Sequence, residues 1–377
     1  MKTIILIILT VLSNLALATP TVKVALLDNL KSEKLATDRY LKGFLSGLEV
    51  AIDEAKRGGV TFELKEFLFG KKPLAILDTV KEVEAWKPDL VIGPRSSSLF
   101  LMIKGKLKDT LVLSPLATAS DVAKMPANFY SLTLPNKYAT KALVNLAIRN
   151  FKGKGIVPVI EVDCKYCVDL ASQFIAVAKG KGIPIRIEKN YFLYDSVEKE
   201  DISKILKSYK PGDVFLMTNR SYTSGVMMRR ISTHLKTPNL VFLGADGWGD
   251  WSSGYPGKFA SGYPYEGLRV TPWSLDSKEK GLVSFKAKYK QRHGSDPDQN
   301  ITYIAYTTLS SVIPVIKGID NKEKNMRLKL LNAYKKKLSK EPNYSRPTDY
   351  AIYRVTHKGE EYLGSVPALD EGKKHVN

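Results

Sequence analysis

Cysteine, histidine and long apolar runs are all scarce in this 377-residue chain, and each scarcity closes a route. With only two cysteines, Cys164 and Cys167, no disulfide framework can carry the fold, so a sizeable hydrophobic core must. A cysteine pair without a histidine close by cannot complete a zinc site. The four histidines, His234, His293, His357 and His375, are scattered, and none sits at metal-ligand spacing from another. A G-x-S-x-G nucleophile elbow is missing too. Glu198, Glu200 and Asp201 gather where a helix is expected to begin, and complementation of the helix dipole explains them. An exported hydrolase therefore has little support, and neither enzyme activity nor a cofactor is expected. Internal repeats and low-complexity segments are absent. Past the N-terminus no apolar run is long enough to span a bilayer.

What is present begins with a processing signal. Lys2 supplies a positive start, residues 4–17 are apolar, and Ala16-Leu17-Ala18 is a small-x-small cleavage site. Cleavage near Ala18 predicts an exported, soluble mature chain, and no cysteine follows to take a lipid. The remainder exceeds what one core usually supports, which predicts two domains. The formal charge of +20 drops to +19 once Lys2 is gone. The lysines are spread over many predicted helices, often four residues from a glutamate, and no aromatic interleaving accompanies them. A solvated basic surface fits better than a nucleic-acid site. The close cysteine pair reads first as a local disulfide and second as free thiols, since no thioredoxin-like context surrounds it.

The chain alternates strand with helix. Strands are expected at 21–27, 60–69, 89–92 and 111–113, with helices at 40–56 and 74–86 between them, the pattern of a parallel sheet wound on both faces. In the stretch DLVIGPRSSSLF (89–100), Gly93-Pro94 ends a strand and three serines open a helix reaching to about 108. Such a turn directs N–H groups toward an anion, and Ser96, Ser97 and Ser98 can add hydroxyls; the plainer reading is a serine N-cap. The turn Ser114-Pro115-Leu116-Ala117-Thr118 falls on the same sheet edge, where ligands of parallel α/β sheets bind. A second alternating series has helices at 137–150, 170–181, 203–209 and 225–235, with strands at 156–162, 183–191, 214–218 and 240–243. Then come a strand at 268–271, a helix at 278–293 capped by Asp276 with Glu279, helices at 302–316 and 327–338, and a closing hairpin pairing 350–355 with 362–366.

Taken together, VIGPRSSS, SPLAT, EVDCKYCVDLA and LGADGWGD resemble the solute-binding proteins of amino-acid ABC importers, the leucine/isoleucine/valine-binding type. The resemblance runs through most of the mature chain. It implies an α/β type I periplasmic-binding fold, with two doubly wound Rossmann-like lobes joined by a three-crossover hinge. Residues 1–18 would be the signal peptide, 19–134 plus 265–340 one lobe, and 135–264 plus 341–377 the other. It further implies a periplasmic monomer that captures an amino acid or related small zwitterion or anion and delivers it to an inner-membrane ABC permease, without nucleic acid. A sensory protein of the same fold, signalling to a membrane receptor, is the alternative. Position by position, Ser97 would hold the ligand carboxylate and Leu116 offer its carbonyl to the ammonium. Thr118 would give its hydroxyl and N–H to the carboxylate, and Asp246 would pair with the ammonium from the second lobe. Tyr166, bracketed by the cysteines, and Tyr40 would line the mouth. Arg220 stands where relatives place a tyrosine, with Tyr222 as the register alternative. If Arg220 or Arg95 faced the cleft, the ligand would carry a second acidic group.

Overall fold

The computed structural model describes residues 21–28, 35–70, 72–187, 191–237, 239–249, 265–319, 325–356 and 358–367. The expected leader, His357 in the closing hairpin and His375 lie outside them.

Apolar residues alternate along the strands of the first sheet, so both faces are covered. In β1 (Thr21–Asp28), Val22, Val24 and Leu26 join one core while Ala25 and Leu27 join another. This sheet runs β2-β1-β3-β4-β5, all parallel, with β2 at Thr61–Leu68, β3 at Leu90–Ile92, β4 at Leu111–Ser114 and β5 at Phe129–Ser131. Helices α1 (Leu35–Arg57), α2 (Ala75–Trp86) and the short α3 (Ser97–Met102) connect these strands.

After β5 the chain crosses to a second sheet through α4 (Asn136–Asn150). There β6 (Ile156–Glu161), β7 (Tyr191–Phe192), β8 (Val214–Met217), β9 (Leu240–Gly244) and β10 (Tyr265–Thr271) run parallel. Helices α5 (Lys165–Gly180), α6 (Ile202–Leu206) and α7 (Ser221–Leu235) lie between them. The chain then returns, as α8 (Lys280–His293), α9 (Asn300–Ser310), α10 (Ile313–Lys317) and α11 (Met326–Lys340) place Leu282, Phe285, Ile304 and Tyr334 in the core of β1. A last crossing brings β11 (Asp349–Thr356) and β12 (Gly359–Pro367) antiparallel onto β10, giving the order β12-β11-β10-β9-β8-β6-β7. The three crossings between two parallel-sheet lobes are the expected architecture.

Five details differ from the sequence expectation, the first being that α3 ends at Met102 rather than near residue 108. Residues 265–271 belong to the second sheet, because β10 is hydrogen-bonded to β9 on one side and β11 on the other; the return to the first lobe starts after Thr271. The expected 302–316 helix is two helices, with Pro314 in the first turn of α10. The Asp276 cap is not made: α8 starts after Glu279, and Asp276 instead accepts from the Tyr353 hydroxyl (2.8 Å). Among the described residues of the expected 183–191 strand, Ile185 forms an isolated bridge and Tyr191 opens β7.

Candidate functional site

The β3–α3 turn is built around Gly93. Its φ of +100° suits glycine, and a Cβ there would lie 2.1 Å from the Leu27 carbonyl oxygen on β1. The Pro94 carbonyl then accepts from Ser114 Oγ (2.7 Å), which itself accepts from Ala117 N–H (3.1 Å). Ser97, 2% exposed, accepts from the N–H groups of Thr118 (3.0 Å) and Ala119 (3.2 Å). The serine run and the 114–118 turn are thus sewn into one surface. Two acceptor positions on Ser97 are filled, so its hydroxyl proton is what it has left to donate. Thr118 N–H, expected to serve a ligand, is directed to Ser97 Oγ. Thr118 Oγ1 is buried and, among the described residues, without a hydrogen-bond partner. Leu116 is half-buried beside it. Ser96 is exposed and occupies the N-cap of α3 without a side-chain cap bond, while Ser98 Oγ accepts from Lys165 N–H (3.0 Å) of the other lobe.

On the second lobe, Asp246 opens a single 3₁₀ turn that follows β9. Trp248 fixes that turn: it is fully buried, donates its indole N–H to the Met217 carbonyl (2.9 Å), and lies so close over Gly244 that a Cβ there would meet the ring at 2.0 Å. Tyr166, in the first turn of α5, donates its hydroxyl to Asp246 Oδ1 (2.8 Å) and accepts from Gly247 N–H (3.0 Å). Burial pushes the Asp246 carboxyl above its usual range, against the pull of the Tyr166 hydrogen bond. The Tyr166 phenol is raised well above its ordinary value, by burial first and by the Asp246 charge second. Cys164 and Cys167 are joined in a disulfide that brackets Tyr166, and Cys164 Sγ also caps α5 by accepting from Cys167 N–H.

Hydrogen bonds connect the two surfaces. Thr118, whose N–H goes to Ser97, accepts at its carbonyl from Asn136 N–H (2.9 Å). Asn136 Nδ2 donates to the Tyr166 carbonyl (3.2 Å), and Tyr166 reaches Asp246. Beside this chain, Asp169 Oδ2 accepts from Ser120 N–H (3.1 Å), Ser120 Oγ (3.3 Å), Asn136 Nδ2 (2.7 Å) and Gln173 Nε2 (2.8 Å). Lys165 Nζ pairs with Asp121 across the same gap (2.8 Å). Asn136, Ser120 and Asp169 were missed from sequence, since nothing local marks a residue whose partner lies on the opposite lobe. Asp169→Ala strands several donors at this junction. A loss of about 1–3 kcal/mol of folding stability is expected, read as a lower urea midpoint. An unchanged midpoint would mean that these donors find other partners.

No family model matches the chain, and no curated protein sequence matches it either. Solved structures do. The leucine-binding protein LivK of Thermotoga maritima superposes with a TM-score of 0.75 at 15% identity, over 92% of this chain and 99% of its own. LivJ of Streptococcus pneumoniae, a branched-chain amino acid transporter substrate-binding protein in complex with isoleucine, gives 0.71 at 14% identity, over 92% and 100%. A solute-binding protein of an ABC transporter from R. palustris, in complex with benzoate, gives 0.72 at 15%, over 94% and 100%. The fold is that of the type I periplasmic-binding proteins.

In this periplasmic-binding fold both expected arginines are already occupied. Arg95 is ion-paired with the buried Asp28 at the end of β1, with its guanidinium 4.2 Å from the centre of the Tyr40 ring. Arg220 is ion-paired with the buried Glu161 at the end of β6, approaches Asp163 (3.4 Å), and stacks over Tyr194 at 4.5 Å. Tyr222 packs against Tyr194 and its hydroxyl reaches Glu198 at 3.4 Å. Asp28 and Glu161 were not singled out from sequence, although an acid closing an otherwise apolar strand was a usable signal. Of the carboxylates expected at the α6 start, Asp201 caps the helix, whereas Glu198 pairs with Arg229 of α7. Among the described residues, no group of three or more His, Cys, Asp and Glu side chains is placed to hold a metal.

Proposed function

We propose that the chain is an exported solute-binding protein that captures an amino acid or related small zwitterion between its lobes and delivers it to an inner-membrane ABC importer. The observation that carries this reading is the pairing of unlike chemistry across the junction. One lobe offers hydroxyls, Ser97 and Thr118, and the N–H groups of the first turn of α3, which have no intrahelical acceptor. The other offers a desolvated carboxylate, Asp246, held by Tyr166. A ligand carboxylate suits the first and an ammonium the second, and charge-assisted hydrogen bonds in a dry cleft need no catalysis to give affinity. The isoleucine and benzoate named for two fold neighbours support a small carboxylate ligand. Tyr40, stacked with Arg95, would wall the outer part of the site. Among the described residues no helix is long and apolar enough to cross a membrane, in keeping with a partner that supplies the channel.

Calorimetry of the mature protein, freed of ligand by unfolding and refolding, against the twenty free amino acids tests the reading. Binding of at least one with one-to-one stoichiometry is expected. Ser97→Ala should weaken that ligand by about 1–3 kcal/mol, since its donor is lost and two N–H groups are orphaned. Equal affinity in wild type and Ser97→Ala would remove this residue from the site.

A further inference from the structure

The C-terminal edge of the second sheet carries its charges in strand order. Asp246 follows β9, Asn219-Arg220 follow β8, Glu161 ends β6 with Asp163 two residues on, and Tyr194 follows β7; β9, β8, β6 and β7 are consecutive neighbours. Adjacent strands are about 4.8 Å apart, so one strand spacing separates the Asp246 turn from Arg220. The turns are in contact: a Cβ on Gly247 would come within 2.7 Å of the Asn219 carbonyl oxygen. A ligand whose ammonium sits on Asp246 and whose far end runs along this edge meets Arg220 next.

Arg220 is not waiting for an anion. Its side chain is ion-paired with Glu161, and its backbone N–H donates to Glu161 Oε2 (3.1 Å). Glu161 is fully buried and takes a further hydrogen bond from Thr223 Oγ1 (2.6 Å), while its own N–H goes to Asn219 Oδ1 (3.0 Å). Asp163 adds a second carboxylate to the same guanidinium. Two carboxylates, Glu161 and Asp163, therefore face one arginine here, which is one negative charge in excess. Arg95 on the other lobe adds no net charge, because Asp28 pairs with it.

Resting on the proposed binding function, we infer that Glu161 and Asp163 hold Arg220 as a charge filter, so that the site takes ligands with a neutral or cationic far end and rejects a second carboxylate. A dicarboxylate would have to displace a buried, multiply hydrogen-bonded Glu161 from Arg220, and it would do so inside a surplus of like charge. This departs from the sequence expectation, in which an arginine facing the cleft at this place would signal a second acidic group on the ligand.

Glutamine and glutamate differ by one amide and serve as the probes. Each is titrated as a competitor of the tightest amino acid found for the refolded mature protein. Wild type should bind glutamine at least about tenfold more tightly than glutamate. Asp163→Asn and Glu161→Gln, which release positive charge on Arg220, should each raise glutamate affinity and narrow that ratio several-fold. Should Glu161→Gln fail to fold, Asp163→Asn on the exposed side of Arg220 carries the comparison. Glutamate binding as well as glutamine in wild type, or no gain for glutamate in the folded variants, overturns the filter while leaving amino-acid capture standing. Failure of all twenty amino acids to bind removes the underlying function, and the filter with it.

Discussion

Asp246→Asn is expected to abolish high-affinity binding and at the same time to stabilise the empty protein. Truncating one partner of a desolvated charge pair costs about 2–5 kcal/mol, or tens- to thousands-fold in affinity, and an amide cannot neutralise an ammonium. The opposite sign for stability follows from the raised carboxyl of Asp246. A folded-state pKa above the unfolded value means that folding disfavours the charged form. That penalty is in force at neutral pH, shrinks as pH falls below the raised value and is gone below the unfolded one. The amide has no charge to desolvate, and its oxygen can still accept from Tyr166. Calorimetry and a thermal melt at pH 7 check both halves, with a lower affinity and a higher melting temperature as the expected pair. Ligand affinity of the wild type should also fall as pH drops through the Asp246 titration. A variant that binds normally would take Asp246 out of the site.

Trp248→Ala should cost about 3–5 kcal/mol of folding stability, the range for deleting a buried aromatic side chain. The indole fills the space above Gly244, and its N–H is the partner of the Met217 carbonyl. Deletion leaves both a cavity and an orphaned acceptor in the core of the second lobe. Because the same ring anchors the turn that presents Asp246, binding should weaken too, although Trp248 is fully buried. Trp248→Phe should recover part of the stability but not the Met217 hydrogen bond. Urea unfolding followed by far-UV circular dichroism reads the loss directly. A loss below about 1 kcal/mol would mean that the turn holds itself.

The readable parts of this protein were those whose cause is local. Alternating apolar residues place β1 between two cores, Gly93-Pro94 ends β3, and Ser97 and Thr118 fall on one sheet edge because both follow parallel strands. These depend on periodicity and turn chemistry, which neighbouring residues carry. The capping expected at Asp276 failed for the converse reason: its side chain found Tyr353, 77 residues away, instead of the nearby helix start.

The sequence by itself determined the two alternating series and the sheet edges on which the candidate residues sit. Only the tertiary structure decided that β10 completes the second sheet, that Thr118 spends its N–H on Ser97, and that both arginines are already paired. A buried charge takes whichever opposite charge the fold brings to it, and here those partners lie 67 residues from Arg95 and 59 from Arg220. No local pattern encodes a choice made over that separation, because it is fixed by strand order in the finished sheets.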